Sequence, residues 1–172
     1  MALHTIGFLI DLVRKITFYD KTVRAGKWDP LLGYKTYRIT GKTIGLVFFG
    51  EIPKKMVPIL KAMGLNILVY APTKSAEYLA EFGCEKADTL EELLKESDFV
   101  SLHCPLIPDV TWHLIGEKEL KLMKPEAFLI NTARGSVVDE PALVKALKEG
   151  WIKGAAIDVI EDETNEVSDL FE

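Results

Sequence analysis

What constrains this chain most is an alternation. Between residues 43 and 160, six short and mostly apolar runs are separated by stretches with helical periodicity. The runs cover residues 44–49, 67–70, 84–87, 99–103, 127–130 and 154–160. Strands that are apolar on both faces belong to parallel sheets covered by helices on both sides. Repetition of strand and helix therefore predicts an α/β fold with an open, doubly wound parallel sheet. Right-handed crossovers favour the Rossmann strand order.

The intervening segments carry their own stop and start signals. Residues 52–63 read as a helix that Gly64 ends, and residues 75–82 as a second. Thr89 and Glu92 have the spacing of a capping box for a helix through Glu96. A short helix is expected over residues 117–123. Asp139 precedes a helical run to Glu149, and Gly150 follows it, which predicts a capped helix between them.

Ahead of the alternating region, Leu3, Ile6, Ile10 and Val13 fall on one helical stripe, and Leu9, Leu12 and Ile16 on a second beside it. A helix from about residue 3 to residue 19, apolar around so much of its circumference, needs more than one partner surface. One is the chain's own sheet; the other is a second subunit or another part of the polypeptide. Lys27-Trp28-Asp29-Pro30 breaks the helix and begins a loop. The chain thus divides into an N-terminal helix and loop over residues 1–40 and a core over residues 41–172.

Several function classes recede at this point. Net charge is −5 with no basic cluster, which argues against nucleic acid as the main partner. The apolar stretch at residues 6–13 contains Asp11 and is far shorter than the ~20 residues a membrane helix needs. Neither a membrane span nor a secretory leader is expected. The only two cysteines, Cys84 and Cys104, are read as reduced, buried thiols of a cytoplasmic protein. No His/Cys/Asp grouping has metal-ligand spacing, so no metal is expected.

Parallel sheets bind ligands outside the carboxyl ends of their strands. There, Ile130-Asn131-Thr132-Ala133-Arg134-Gly135 passes from an apolar run to small polar residues and one arginine. The last run is followed by Asp158 and the acidic stretch Glu161-Asp162-Glu163. A cation and a carboxylate facing each other across a crevice would suit a bound molecule; a surface arginine in a turn is the other reading of Arg134.

The first strand–helix turn of such sheets commonly carries G-x-G-x-x-G for a pyrophosphate. The six residues here are Phe48-Phe49-Gly50-Glu51-Ile52-Pro53, so only the middle glycine remains. Pro58 falls inside the following helix, where proline costs ~3 kcal/mol. The second strand ends at Ala71, where an acid normally binds the ribose hydroxyls. Losing that acid removes one reason to exclude a 2′-phosphate. Thr73 and Lys74 either hold such a phosphate or form a solvated turn.

Over nearly its whole length the chain resembles the NAD-binding domain of the D-isomer-specific 2-hydroxyacid dehydrogenases. The likeness is carried by Gly41-Lys42-Thr43-Ile44-Gly45-Leu46, by residues 97–106 (SDFVSLHCPL) and by Leu122-Met123-Lys124-Pro125. Residues 130–135, Val138-Asp139-Glu140 and residues 154–159 (GAAIDV) continue it in the same order. The resemblance implies hydride transfer between NAD or NADP and a small 2-hydroxy or 2-keto acid. It matches Arg134 to the arginine that binds the substrate carboxylate and polarises the keto oxygen. Glu163 matches the glutamate that orients a catalytic histidine. Gly50, Glu51 and Ile52 match the pyrophosphate turn, and Asp158 a contact to the nicotinamide carboxamide. Cys104, Pro105, Thr111, Thr132 and Ala133 match positions lining the cofactor cleft, and Ala71 the ribose position.

The same resemblance puts the catalytic histidine beyond Glu163. His4, His103 and His113 do not match it, and the substrate domain is not represented. The expectation is therefore the cofactor domain of a longer dehydrogenase, inactive when isolated. The resemblance further implies a homodimer through the N-terminal helix. The alternative is a degenerate, non-catalytic Rossmann module serving as a dimerising scaffold or regulatory binding domain. Phe48, Pro53, Pro58 and Ala71 favour that alternative, while Arg134, Asp158 and Glu163 oppose it.

Overall fold

Every apolar run from Thr43 onward forms a parallel strand in the computed structural model, which describes residues 1–28 and 37–161. The chain opens with α1 (Ala2–Arg14) and α2 (Ile16–Arg24). It then alternates β1 (Thr43–Val47), α3 (Glu51–Ala62), β2 (Asn66–Tyr70), α4 (Ala76–Glu81), β3 (Glu85–Lys86) and α5 (Leu90–Glu96). The second half is β4 (Phe99–Leu102), α6 (Glu117–Leu122), β5 (Phe128–Asn131), a 3-10 turn at Gly135–Val137, α7 (Glu140–Glu149) and β6 (Gly154–Ile157). The six strands lie in the order β3-β2-β1-β4-β5-β6. That is the expected Rossmann order, with all neighbours parallel.

Strand alternation sends successive side chains to opposite faces, and both faces are dry. Ile44, Leu46, Phe99, Phe128 and Ile130 enter one core with Met56, Val57 and Leu60 of α3 and Ile6, Leu9 and Val13 of α1. Val47, Val100, Leu102 and Leu129 enter the other with Leu93 and Leu94 of α5, Leu120 of α6 and Leu143 and Ala146 of α7. At Gly45 a Cβ would stand 2.3 Å from the Ser97 hydroxyl and 2.5 Å from Leu93, so glycine is what lets α5 approach β1.

The helix ends follow their sequence signals in most places. Asp139 accepts from the Ala142 N–H at 3.1 Å, and Gly150 closes α7 at φ 71°. Gly64, at φ 80°, ends α3 with paired backbone bonds, Gly64 N–H to Lys61 O and Leu65 N–H to Leu60 O. Thr89 caps α5 through the Glu92 N–H. The Glu92 carboxylate accepts in return from the Asp88 N–H at 2.7 Å, one residue outside the expected box. Pro58 sits within α3 on its exposed side, so water can replace the donor the helix loses.

The N-terminal segment departs from a single long helix. Lys15 adopts a left-handed conformation at φ 57°, and the chain breaks there into α1 and α2. The Lys15 N–H still reaches Asp11 O, and the Asp11 carboxylate accepts from the Thr17 N–H at 2.7 Å. Asp11 thus serves the α1 end and the α2 start together, outweighing helix propensity at Lys15. The buried stripe of α1 is Thr5, Ile6, Leu9 and Val13, packed on α3, β5 and β6. Leu3 and Ile16, expected on the apolar stripes, are 75% and 56% exposed. Lys27 and Trp28 lie beyond α2 as expected, while Asp29 and Pro30 fall outside the described residues.

Candidate functional site

All six strands point the same way, so the turns after β1, β2, β4, β5 and β6 gather at one edge of the sheet. At the first of these, the Phe48 N–H donates to Tyr70 O at 2.7 Å and Phe48 takes φ 71°. A phenylalanine therefore occupies the left-handed conformation usually left to glycine. Phe49 turns into the core, edge-on to Phe82 at 5.3 Å. Gly50 caps α3, and no atom lies within 4 Å of where its Cβ would stand. The first-turn amides of Glu51 and Ile52 have no intrahelical carbonyl to meet. Pro53, which has no N–H, falls where its loss costs the helix nothing.

Glu51 places a carboxylate at this same helix start, and Lys54 pairs with it at 2.8 Å. That hydrogen bond and charge hold the Glu51 carboxyl below the usual range. Beyond β2, Ala71 is buried and accepts a turn bond from the Lys74 N–H. The Lys74 ammonium lies 5.1 Å from the centre of the Tyr78 ring, and Lys54 lies 5.9 Å from it. Thr73 is exposed.

After β4, the His103 N–H donates to Val47 O, and its Nε2 lies 3.0 Å from the Ser101 hydroxyl. Burial pushes this imidazole down to about 4, so it is neutral at physiological pH. Burial likewise pushes the Cys104 thiol up to about 11. Cys84 moves in the same direction, and neither cysteine is bonded to another. The fully buried Thr111 hydroxyl accepts from the Ile107 N–H at 2.6 Å and donates to Pro105 O at 2.7 Å. Thr111 thus shapes the 105–111 loop that follows β4 at this edge of the sheet.

The turn after β5 is organised by Asn131, which the sequence reading did not single out. Its buried side chain donates to Arg134 O at 3.0 Å and accepts from the Ala133 N–H at 3.1 Å. An asparagine that bonds its own downstream backbone is a recognisable turn device, and its place at the strand end was the available signal. Thr132 is buried with its hydroxyl 2.9 Å from that of Thr5. Arg134 is exposed; its guanidinium donates to Ala133 O, and among the described residues it makes no ion pair. After β6, the Asp158 N–H donates to Asn131 O, and its carboxylate meets His4 Nε2 at 3.0 Å.

The chain then crosses the β5 turn. A Cβ on Gly135 would lie 1.7 Å from Ile160 O, so only glycine permits this crossing. Glu161 is tied by its N–H to Glu140 at 3.0 Å and by its carboxylate to His113 Nε2 at 2.7 Å. Glu163 lies outside the described residues. Gly50, Glu51, Ile52, Ala71, Cys104, Pro105, Thr111, Thr132, Ala133, Arg134 and Asp158 therefore all fall in the turns at one sheet edge. Among the described residues there is no group of three or more His, Cys, Asp or Glu side chains able to hold a metal. No helix among them is long and apolar enough to cross a membrane.

Residues 6–172 match the family model described as "D-isomer specific 2-hydroxyacid dehydrogenase, NAD binding domain". A glyoxylate reductase of Thermococcus litoralis is 48% identical over 172 residues, covering 96% of this chain and 51% of that protein. The crystal structure of a glyoxylate reductase from Paecilomyes thermophila superposes with a TM-score of 0.89 at 34% identity, covering 99% of this chain and 51% of that one. The NAD-complexed D-isomer specific 2-hydroxyacid dehydrogenase of Lactobacillus delbrueckii ssp. bulgaricus gives 0.82 at 37% identity, covering 96% and 50%. The chain spans about half the length of these relatives.

Proposed function

Since this chain belongs to the D-isomer-specific 2-hydroxyacid dehydrogenases, matching their NAD-binding domain, we propose that it is the cofactor-binding half of an enzyme that interconverts a small 2-keto acid and its 2-hydroxy acid. The relatives named glyoxylate reductase point to a short substrate such as glyoxylate. One observation carries the reading: Asn131 fixes the turn that carries Arg134 and, through its own carbonyl, holds the Asp158 N–H, at the same edge as the Gly50 turn.

The residues fit a dinucleotide. The open space at Gly50 and the unmet amides of Glu51 and Ile52 suit a pyrophosphate. Ala71 would adjoin the adenosine ribose, and the absence of an acid there leaves both NAD and NADP acceptable. Cys104, Pro105 and the loop braced by Thr111 would wall the cleft, with Thr132 and Ala133 beneath the nicotinamide end. Asp158 would accept from the carboxamide. NAD or NADP, when bound, supplies or receives the hydride. Arg134 binds the substrate carboxylate and stabilises the negative charge that develops on the keto oxygen. Glu163 orients a histidine elsewhere in the longer enzyme and raises its basicity, which suits proton delivery to that oxygen.

We assign the remaining apolar surface of α1 and α2, with Leu3, Ile16 and Val23 exposed, to a homodimer contact. We place the protein in the cytoplasm, in keeping with its two unpaired, buried cysteines. Calorimetric titration of the folded chain with NADH and NADPH separately tests the central claim. Saturable binding of either is expected, and the tighter one names the cofactor. A folded chain that binds neither at millimolar concentration would refute it.

A further inference from the structure

The first turn of α1 reaches the candidate cleft through two adjacent side chains. Thr5 is fully buried and donates to Met1 O at 3.2 Å, so its contact with Thr132 at 2.9 Å is one in which Thr132 donates. His4 lies one residue earlier, with Nε2 3.0 Å from Asp158 Oδ1. A carboxylate only accepts hydrogen bonds, so Nε2 carries the proton. Phe8, one turn along α1, buttresses the imidazole at a ring distance of 4.6 Å. The residues of the two contacts are separated by 154 and 127 positions in the chain. The helix start is therefore fastened to the ends of β5 and β6, where Thr132 and Asp158 stand.

We propose that His4 is a positioning residue for the nicotinamide end of the cleft, holding the Asp158 carboxylate in one orientation and drawing off part of its negative charge. The inference rests on the function proposed above, in which Asp158 adjoins the nicotinamide. An oxidised nicotinamide carries a positive charge and a reduced one does not. A bare carboxylate beside the ring favours the oxidised form, and a donor placed on that carboxylate weakens the preference. The first turn of α1 thereby sets the balance between oxidised and reduced cofactor, a role that a purely structural contact does not have.

The test uses the 172-residue chain and dissociation constants for the oxidised and reduced forms of its preferred dinucleotide, measured by calorimetry at one pH. In His4→Ala the ratio Kd(oxidised)/Kd(reduced) is expected to fall at least threefold. His4→Gln keeps a donor at the same reach and should hold the ratio within twofold of the parent. In an Asp158→Asn background, His4→Ala should leave the ratio unmoved. The His4 side chain is about half exposed, so these variants retain the core, and circular dichroism verifies the fold. Equal changes in both constants on His4→Ala would overturn the inference and leave the proposed function standing. So would a ratio that moves as far without the Asp158 carboxylate. Failure of the parent chain to bind either form would overturn both.

Discussion

The side-chain amide of Asn131 holds the backbone carbonyl of Arg134 at 3.0 Å, so the residue that positions the candidate substrate cation lies three places before it. The same side chain accepts from the Ala133 N–H, and the Asn131 carbonyl accepts from the Asp158 N–H. One buried residue thereby joins the ends of β5 and β6.

Asn131→Ala is expected to remove one of the two donors to the Arg134 carbonyl, leaving the Val137 N–H, and to take the side-chain acceptor from the Ala133 N–H. That costs ~1–3 kcal/mol. For a chain of this size the melting temperature falls about 2–4 °C per kcal/mol. Thermal denaturation followed by circular dichroism measures it, and a shift below 1 °C, the order of the measurement error, would show that the turn holds without its staple.

Gly50 offers a substitution that separates binding from folding. Its φ of −106° is ordinary for any residue, and a Cβ there meets no protein atom within 4 Å. Gly50→Val should alter stability by no more than ~1 kcal/mol, the scale of an exchange at a helix cap. The side chain would fill the space assigned to the pyrophosphate, so affinity for dinucleotide should fall at least tenfold. An unchanged affinity in calorimetry would move the phosphate site elsewhere.

Pro58 interrupts α3 on its exposed side without ending the helix. Replacement by alanine restores a donor to the Lys54 carbonyl and removes the ring clash. Pro58→Ala is expected to stabilise the chain by ~1–3 kcal/mol. A denaturant midpoint that rises with an unchanged slope would demonstrate the gain; a lower midpoint would contradict it.

Acid sensitivity should trace in part to His103. Burial depresses its folded pKa to about 4, below the usual histidine value of 6.5. Between those values the unfolded chain binds more protons, so stability rises with pH across the window. This contribution is fully present above about pH 6.5 and is lost as pH falls toward 4, reaching ~2–3 kcal/mol. His103→Gln should flatten the stability profile from pH 6.5 to 4, as urea denaturation at each pH would reveal. An unaltered profile would assign the acid dependence to other groups.

Much of this architecture is legible in the residues themselves. Apolar runs too short for helices and dry on both faces require a covered parallel sheet. Asp139, Gly150, Gly64 and Thr89 mark helix ends through local chemistry that needs no tertiary context. The break at Lys15 carries no such mark, because Asp11 produces it by serving two helix ends at once. Phe48 is also silent, since an aromatic side chain seldom takes a positive φ and its packing against the core imposes it. The candidate cleft was readable where each residue follows its own strand, as with Arg134 and Asp158. The pairing of His4 with Asp158 spans 154 positions and exists only once the sheet is assembled.

The seating of α1 also bears on how this domain could be divided. A boundary drawn at residue 41 by the start of alternation would retain all six strands and the Gly50 turn. It would also strip the cover from Phe128 and Ile130, deprive Thr132 of its hydroxyl partner and free the Asp158 carboxylate. The smallest autonomous module that keeps this edge of the sheet intact therefore includes the opening helix, and a transplanted cofactor domain should carry it along.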